Sequence, residues 1–426
     1  MCRILVRDFS GTWFRVHTAT VRGRAIIGKL VLALTSGLLA VAALEIALRV
    51  IGPPAPPDET TLRSFTEYDP ELGWKGRAGA SGPFNARGFQ TSVALDTGGW
   101  RDDANEAPGL ALNAAPRSNV LLLGDSFAWG YGVGRGEMFA DRIEALLPGC
   151  NVSNLAVSGY GTDQELLVLR RFAQELRPQV VVVQLAVEND IYTNLADEAY
   201  NLPKPRFVLA GSALRLEGVP VPRVGNWERD SRGSAQKSFM MRHSRLYAWA
   251  RPRWAALRAR LSRMLGRGGE DVVATRRVRL LAKAPGDRIE EGWQLTEALL
   301  GAIRDEAAKA GALTVLLEVP DRLQVDDALW EEAVRAFKLD RAAYDRDLPE
   351  TRLRAIAARL GIRYVELLGP LRHRTAAGEK LFLAEDIHWN ARGHDVAAQE
   401  LARAILPMIA AGARVDGSEV TDTRWR

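Results

Sequence analysis

Cysteine and histidine are both scarce in this sequence. Its 426 residues include two cysteines, Cys2 and Cys150, and five histidines. Two cysteines so far apart form no disulfide framework, and neither lies in a cluster with the spacing of zinc ligands. We therefore expect neither a disulfide-stabilised fold nor a bound metal, and nothing in the sequence requires another cofactor.

Internal repeats and a large excess of one charge are also lacking. The 57 lysines and arginines against 52 acidic residues give a net charge of +5 at pH 7, and no nucleic-acid-binding motif accompanies the basic residues. We therefore exclude nucleic acid as a partner. The 47% of hydrophobic residues is enough for one large core with additional segments.

One long apolar run is present, and it lies near the N-terminus. Residues 1–24 form a basic tail, which we expect to be cytoplasmic, and residues 25–51 have the length of a membrane span. Glu45 and Arg49 lie four residues apart near its outer end, where they can pair. A cleaved signal peptide is the alternative, but no small-x-small cleavage site follows the run. We predict a single inner-membrane anchor with the remaining chain outside the cytoplasm, in the periplasm of a Gram-negative cell.

Residues 52–117 are predicted to connect this anchor to the rest of the chain. The segment begins with a stiff, proline-rich stretch at residues 52–57 and carries Trp74 and Trp100 beside turn residues. One interpretation is an extended strap whose aromatic side chains pack on the following domain. The other is that Trp74 or Trp100 stacks on a sugar near the functional site.

Strands and helices alternate from Asn119 onward. Short apolar runs between turn residues predict buried strands at residues 120–123, 152–156, 180–185, 313–319 and 364–367. Helical spacing predicts helices at residues 138–147, 163–176, 291–310 and 350–360. Thr162 is expected to cap the second of these helices, and Asn390 to cap a last helix that ends near residue 409. The alternation predicts an α/β fold, a parallel sheet with helices on both faces.

The strand at residues 120–123 leads directly into Gly-Asp-Ser, which ends at Ser126. This places Ser126 at the carboxyl end of a buried strand, where open parallel sheets bind their ligands. Ser126 is our candidate nucleophile, and the alternative is a serine that only caps a helix. A serine nucleophile needs a general base, and the base needs an orienting acid.

The base is predicted from the surroundings of the five histidines. His388 lies in a loop, two residues after Asp386 and three after Glu385, so that either acid can accept the Nδ1–H and leave Nε2 free for Ser126. The alternative is a structural loop histidine. His394, His243 and His373 are expected to be packing residues.

Four blocks in this order resemble the SGNH, or GDSL-type, hydrolases. They are Gly124-Asp125-Ser126-Phe127, residues 154–161 around Gly159, Val187-Glu188-Asn189-Asp190 and Asp386-Ile387-His388. The resemblance covers about residues 119–407. It implies a flavodoxin-like, three-layer αβα hydrolase domain. It also implies an oxyanion hole formed by the N–H groups of Ser126 and Gly159 and by the side chain of Asn189.

Two positions depart from the pattern of that family. Val187 stands where the third block usually has glycine, and Asp386 lies two residues before the histidine instead of three. The resulting Asp-x-His-Trp is similar to membrane-associated members that modify polysaccharides, such as the alginate acetylation proteins. It favours Asp386 over Glu385 as the orienting acid. The Gly-x-Ser-x-Gly elbow of other α/β-hydrolases is absent, because Ala128 occupies its last position.

The resemblance therefore predicts a membrane-anchored serine esterase that acts on acyl esters, with O-acetyl groups of an envelope or exported polysaccharide as the expected substrate. Hydrolysis and transfer to a sugar hydroxyl use the same residues, so both stay open. A lysophospholipase or lipase activity is the alternative within the enzyme class. A catalytically silent, glycan-binding partner of a polysaccharide export complex is the alternative outside it.

The predicted hydrolase domain spans residues 118–411, contains an insertion at residues 192–288 and is followed by a tail at residues 412–426. The insertion is strongly basic from Arg242 to Arg279 and carries Tyr247, Trp249 and Trp254 among the arginines. A helical cap with a solvated basic face is one interpretation. Contact with anionic lipid headgroups and contact with an acidic polysaccharide are the others.

Overall fold

A computed structural model describes residues 4–7, 13–16, 20–51, 62–86, 88–101, 118–211, 213–224, 243–264, 272–384 and 386–415. The chain divides into two compact units. One comprises Met1–Pro56 and Gln236–Met264, and the other comprises Pro57–Ala235 and Leu265–Arg426. Part of the insertion at residues 192–288 thus belongs to the unit of the N-terminal segment, which the sequence did not predict.

The secondary structure is as follows. The strands are β1 (Ile4–Arg7), β2 (Trp13–Val16), β3 (Thr66–Asp69), β4 (Gly73–Gly76), β5 (Ser81–Ala86), β6 (Phe89–Ala94), β7 (Ser118–Leu123), β8 (Cys150–Asn154), β9 (Val180–Ala186), β10 (Glu198–Ala199), β11 (Leu202–Pro203), β12 (Arg206–Ala210), β13 (Ala213–Glu217), β14 (Leu313–Val319) and β15 (Arg363–Val365). The helices are α1 (Thr20–Ile51), α2 (Ser126–Trp129), α3 (Phe139–Leu146), α4 (Thr162–Leu176), α5 (Val187–Thr193), α6 (Arg245–Met264), α7 (Val272–Leu280), α8 (Asp287–Lys309), α9 (Arg322–Val325), α10 (Asp327–Phe337), α11 (Leu348–Leu360), α12 (Leu368–Ala376) and α13 (Ala391–Val415).

The second unit is built on a five-stranded parallel sheet with the strand order β15-β14-β9-β7-β8. Val180 of β9 lies beside Val120 of β7 on one side and beside Leu313 of β14 on the other. Every residue of β9 is buried, as expected for a central strand that helices cover on both faces. The predicted α/β fold with its parallel sheet is confirmed.

Neighbouring residues of β7 enter different cores, because side chains alternate between the two faces of a sheet. Val120 and Leu122 pack in one core with residues of α3 and α13. Leu121 and Leu123 pack in the other core with residues of α4, α8 and α11. The unit therefore has the three layers, helix, sheet and helix, that the sequence predicted.

Residues 62–101 form two antiparallel hairpins, β3–β4 and β5–β6, where an extended strap was expected. Trp74 and Trp100 are only 2% and 4% exposed. Their rings pack edge-on against Tyr160 and Phe172, which belong to the hydrolase-like part of the unit. Neither indole offers a face to a sugar, so the packing interpretation is correct and the stacking interpretation is wrong.

The insertion begins with two small hairpins, β10–β11 and β12–β13. Lys204 follows the first hairpin, and its fully buried ammonium group pairs with the carboxylate of Asp163 in the first turn of α4. The same ammonium donates to the carbonyl oxygen of Thr193 at 3.2 Å. These bonds fix the first hairpin against the helix that follows β8.

Helix α1 carries the long apolar run. Its stretch Ile26–Ile51 reaches a mean hydropathy of 2.2, and none of that window is buried within the structure. The helix is long and apolar enough to cross a membrane, and an N-terminal signal sequence has the same properties.

The predicted elements lie close to the observed ones, with two kinds of difference. Around the sheet, the helices α2, α5, α9, α10 and α12 were not predicted. Thr162 is the first helical residue of α4, and Gly161 is its cap, so the capping prediction for Thr162 is wrong. The hydroxyl and N–H of Thr162 instead donate to the carboxylate of Asp190, at 2.7 and 2.8 Å.

Candidate active site

Ser126 is presented by a tight turn between β7 and α2. Asp125 caps α2 by accepting the N–H of Phe127 at 2.9 Å, which makes Ser126 the first helical residue. The side-chain oxygen of Gln184, in the middle of β9, accepts the N–H groups of Asp125 at 3.0 Å and of Ala128 at 3.2 Å. A Cβ on Gly124 would lie 2.5 Å from that oxygen, so the turn requires glycine there.

His388 connects Ser126 to Asp386. Its Nε2 lies 2.7 Å from the Ser126 hydroxyl oxygen, and its Nδ1 lies 2.6 Å from a carboxylate oxygen of Asp386. The same carboxylate oxygen accepts the backbone N–H of His388 at 3.0 Å. The structure thus places the three residues in one hydrogen-bonded chain, while Glu385 lies outside the described residues.

The charge of Asp386 is maintained by its histidine neighbour. Partial burial alone would raise the pKa of the carboxyl group, but the hydrogen bonds from the side chain and the backbone of His388 outweigh burial, and the pKa is lowered. A carboxylate that stays ionised can hold the Nδ1–H tautomer of the imidazole, which leaves Nε2 as the acceptor that faces the serine.

Aromatic rings fix the plane of the His388 imidazole. Tyr131 stacks on it with ring centres 4.2 Å apart and planes 24° apart, and Phe127 lies at 4.8 Å. Tyr131 is in turn packed edge-on by Phe84 and Phe89 of the β5–β6 hairpin, each at 5.1 Å. The segment that precedes the sheet therefore supports the wall of the site.

The loop that carries His388 is closed at its base and held by one arginine. The N–H of Leu383 donates to the carbonyl oxygen of His388 at 2.9 Å. The Arg322 guanidinium donates to the carbonyl oxygen of Asp386 at 2.9 Å. Asn390 accepts the N–H groups of the first turn of α13, as predicted for its cap. Trp389 is fully buried, so it packs beneath the loop and does not face a substrate.

The three predicted oxyanion donors surround the same turn. Within the described residues, no hydrogen-bond acceptor is found for the N–H of Ser126 or of Gly159. Gly159 has a φ of +86°, and a Cβ there would lie 2.5 Å from the ring of Tyr200. The Asn189 amide nitrogen donates to the carbonyl oxygen of Tyr160 at 2.7 Å and to Asp125 at 3.1 Å. Both amide hydrogens of Asn189 are therefore engaged in this state.

Tyr200 covers Gly159 from the insertion. It lies with Asn201 in the two-residue turn between β10 and β11, where both residues have positive φ angles of 55° and 59°. Such a turn matches the twist of a hairpin. The Tyr200 ring lies beside Gly159, and 61% of the residue is exposed, so much of the side chain is open to solvent.

Several carboxyl groups are buried beneath the turn. Burial raises the pKa values of Asp125, Glu165 and Asp190, and each of these acids also feels a neighbouring ionisable group. Because a raised carboxyl pKa means that the charged form is disfavoured, negative charge under Ser126 is limited.

An arginine from the insertion connects the third block to the histidine side. This residue is Arg277 of α7. Its Nε lies 2.9 Å from a carboxylate oxygen of Glu188 and 2.6 Å from a carboxylate oxygen of Asp321. Asp321 caps α9, whose first residue, Arg322, holds the His388 loop. Burial and the neighbouring Asp321 raise the pKa of Glu188, which favours a neutral Glu188 beside an ionised Asp321.

His394 is not part of this chain of contacts. It is 1% exposed in α13, and its Nδ1 accepts the N–H of Phe139 at 3.3 Å. Burial and the nearby charges of Arg101 and Arg142 lower its pKa to about 3, so the ring is neutral. In the part of the chain that the structure describes, no group of three or more His, Cys, Asp or Glu side chains is arranged to hold a metal ion.

Sequence reasoning missed Gln184, Tyr131, Arg322 and Tyr200. One feature of the sequence could have indicated a role for Gln184: it is the single polar residue in the apolar run of β9. Tyr131 stands in the glycine-rich loop after the serine, between Gly130 and Gly132. Arg322 and Tyr200 reach the site from distant segments, and no local pattern indicates them.

Solved structures with similarity to this chain are remote in sequence. A lipolytic protein of the G-D-S-L family from Veillonella parvula is 13% identical, with 68% of this chain and 98% of that chain covered and a TM-score of 0.35. A catalytic mutant of Axe2, an acetylxylan esterase from Geobacillus stearothermophilus, is 14% identical, with 74% and 100% covered and a TM-score of 0.34. The psychrotrophic esterase EstA from Pseudoalteromonas sp. is 12% identical, with 68% and 97% covered and a TM-score of 0.33.

The family assignment rests on the sequence profile. No curated protein sequence matches this chain closely enough to count as a relative. Residues 122–396, well over half of the chain, match the GDSL-like Lipase/Acylhydrolase family. The matched range includes Ser126, Gly159, Asn189 and His388. The protein therefore belongs to the GDSL-like lipase/acylhydrolase family, the family that its four sequence blocks resemble.

Proposed function

We propose that the protein is a membrane-anchored serine esterase that removes or transfers acyl groups, chiefly O-acetyl groups of an envelope or exported polysaccharide. The observation that carries the proposal is the hydrogen-bonded chain from Ser126 through His388 to Asp386, with 2.7 Å and 2.6 Å at its two links. Membership of an acylhydrolase family supports ester chemistry at this chain.

In the proposed reaction, the Ser126 oxygen attacks the ester carbonyl carbon while His388 Nε2 takes the hydroxyl proton. The tetrahedral intermediate collapses, the alcohol leaves with the proton from His388, and the acyl group stays on Ser126. Water or a second hydroxyl then attacks the acyl-enzyme and gives its proton to His388. Collapse of this second intermediate releases the acid or the new ester and returns the proton to Ser126.

The oxyanion of each intermediate would be bound by the N–H groups of Ser126 and Gly159. Their lack of acceptors among the described residues supports this role. Asn189 would supply a third donor by turning one amide hydrogen from Asp125 or Tyr160 toward the oxyanion. Each such donor is typically worth about 3 kcal/mol of transition-state stabilisation.

The glycan substrate is supported by aromatic surface beside the serine. Tyr200 lies over Gly159 with 61% of its surface exposed, and Tyr131 stacks on His388. Aromatic rings with a polar hydroxyl suit a ligand that is partly apolar and partly polar, as a sugar ring is. The Asp-x-His-Trp pattern supports the same substrate class through the resemblance described above.

The membrane anchor is supported by α1. Its exposed, apolar stretch Ile26–Ile51 follows a tail that carries five arginines and one acid, and basic flanks remain on the cytoplasmic side. The hydrolase-like unit would then act outside the cytoplasm, where exported polysaccharides are modified.

The test is hydrolysis of p-nitrophenyl acetate by the full-length protein in detergent. Ser126→Ala and His388→Ala should each lower kcat by about a thousandfold or more. Ser81→Ala, at an exposed position at the start of β5, and His373→Ala are matched controls outside the site and should keep the wild-type rate. Wild-type activity in Ser126→Ala would refute the proposed nucleophile.

The substrate is tested separately with the active protein. Acetate release from acetylated polysaccharides, with and without an acceptor oligosaccharide, should exceed release of fatty acid from lysophospholipids, and the acceptor should show whether transfer competes with hydrolysis. Preference for the lysophospholipid would refute the glycan substrate while leaving the esterase mechanism intact.

A further inference from the structure

Helix α6 of the insertion begins against α1. The Glu45 carboxylate of α1 accepts the N–H groups of Arg245 and Leu246, both at 2.9 Å, and the hydroxyl of Ser244 at 3.0 Å. These are the unpaired donors at the start of a helix, which a carboxylate satisfies and stabilises through the helix dipole. Glu45 is therefore the N-cap partner of a helix that lies 200 residues later in the chain.

A second bond fixes the same junction. Arg49 donates to the carbonyl oxygen of His243 at 2.7 Å and pairs with Glu45 at 2.8 Å. Glu45 and Arg49, the charged residues in the outer half of the apolar run, thus both hold the start of α6. Glu45 lies six residues before the end of α1, about 9 Å at the helical rise, so α6 begins beside the outer end of the apolar stretch.

The described surface of α6 is both aromatic and basic. Trp249, Trp254 and Leu257 are 40%, 63% and 45% exposed. At about 100° per residue they fall within an arc of about 140°. Ala248, on the opposite side, is buried. The helix sequence Arg245–Met264 contains no acidic residue.

Arginines frame this apolar arc. Arg253 lies within it, with its guanidinium 4.3 Å from the centre of the Trp249 ring. Arg251 and Arg258 are exposed just beyond the arc on the side of Trp254. Tryptophan at a membrane surface places its ring at the headgroup level, and arginine pairs with lipid phosphates.

We propose that α6 lies in the interface of the bilayer that α1 crosses and binds anionic lipid headgroups. Trp249, Trp254 and Leu257 would enter the boundary between headgroups and acyl chains, and the arginines would contact the phosphates. The occupant is a lipid surface because α6 is attached to the outer end of an apolar helix with no buried residue in Ile26–Ile51, and the charge of α6 is complementary to that of anionic lipid. The inference rests on the membrane anchor of the proposed function.

The test places a polarity-sensitive fluorophore on α6 of the full-length protein. Cys2→Ser removes one thiol, and Cys150 stays unlabelled because burial raises its pKa to about 12. Trp254→Cys is then labelled and reconstituted in phosphatidylcholine vesicles, with or without about 30% phosphatidylglycerol. The matched control is Leu313→Cys on the other unit, where the native side chain is 55% exposed.

The label at position 254 should shift to the blue and be quenched by lipids spin-labelled near the headgroup, more strongly in anionic vesicles and less in high salt. The label at position 313 should stay in water. Replacing Arg251, Arg253 and Arg258 together by glutamine should remove the dependence on anionic lipid, and replacing all three by lysine should retain it. Glu45→Ala should reduce quenching at position 254, because α6 loses its attachment.

Three results would overturn the proposal, and they are distinguishable. A label at position 254 that stays in water while the protein resists alkaline extraction refutes the lipid contact alone. A blue shift caused by a soluble acidic polysaccharide without vesicles assigns the surface to that polymer instead. Extraction of the protein from the vesicles at alkaline pH refutes the anchor and the lipid contact together, whereas esterase activity is measured independently of all three.

Discussion

The turn around Ser126 and the loop around His388 meet at one hydrogen bond but are held in different ways. The turn around Ser126 is fixed from inside the fold, because the buried Gln184 binds two of its N–H groups and Asp125 caps α2. The loop around His388 is fixed from its rim, by Arg322 and by the stacked ring of Tyr131, both only partly buried. A buried turn is coupled to the stability of the fold, whereas a rim loop can be loosened while the fold stays intact.

The largest effect is expected at the acid of the histidine loop. Asp386→Asn should lower kcat by about 10⁴-fold, equivalent to about 5.5 kcal/mol, because the amide no longer favours the Nδ1–H tautomer. Steady-state hydrolysis of p-nitrophenyl acetate measures it. Glu385→Gln is the matched control and should change kcat less than about threefold. A large loss of kcat in Glu385→Gln, with little loss in Asp386→Asn, would show that Glu385 and not Asp386 is the orienting acid.

The next effect tests the buried side of the comparison. Gln184→Ala leaves the N–H groups of Asp125 and Ala128 unpaired in the core and should lower the free energy of unfolding by about 3 kcal/mol. Denaturant unfolding of the protein in detergent measures it, and activity should fall in parallel. Gln179→Ala, just before the same strand, should cost less than about 1 kcal/mol. Equal losses in both variants would show that Gln184 has no special role.

A pH effect is expected from His394, which lies in the helix after the histidine loop. Burial lowers its pKa from 6.5 to about 3, so the unfolded chain binds a proton that the native state refuses. The stabilisation that the neutral His394 gives the native state is complete above the unfolded-state pKa of 6.5 and is lost as the pH falls toward about 3. At pH 5 the loss should be about 2 kcal/mol.

Unfolding free energies at pH 7.5 and pH 5 measure this difference. His394→Asn keeps an acceptor for the Phe139 N–H but has no titrating ring, so its stability should fall less between the two pH values. The same fall in both proteins would assign the acid sensitivity to other groups.

The smallest effect tests the rim. Arg322→Ala should lower kcat about tenfold, or about 1.4 kcal/mol, because the carbonyl of Asp386 loses its donor and the loop gains freedom. The melting temperature should change little, and Arg322→Lys should recover part of the activity. A fall in melting temperature as large as that of Gln184→Ala would remove the distinction between turn and loop.

The same distinction explains what the sequence could predict. Strands such as β9 and β14 were located closely, because an apolar run between turn residues has few alternatives. Ser126, His388 and Asp386 could be nominated because each stands in a short, local pattern. The roles of these residues stay predictions, although the structure places their side chains in one hydrogen-bonded chain.

Contacts between distant segments of the chain could not be predicted from the sequence. Tyr200 arrives at Gly159 because a two-residue turn holds positive φ angles at two non-glycine residues, which no propensity indicates. The burial of Trp74 and Trp100 depends on hairpins that were expected to be an extended strap. A helix as short as α9, with four residues, carries too few turns for a clear helical period.

The capping of α6 by Glu45 has a consequence for biosynthesis. The carboxylate is made early, and its partner Ser244 is made 199 residues later, so the cap cannot form until most of the chain has emerged. Until then Glu45 has Arg49, four residues away in the same helix, as its nearby counter-charge. Arg49 thus neutralises the Glu45 carboxylate within the first helix during synthesis, and the same carboxylate caps the second helix once that helix has been made.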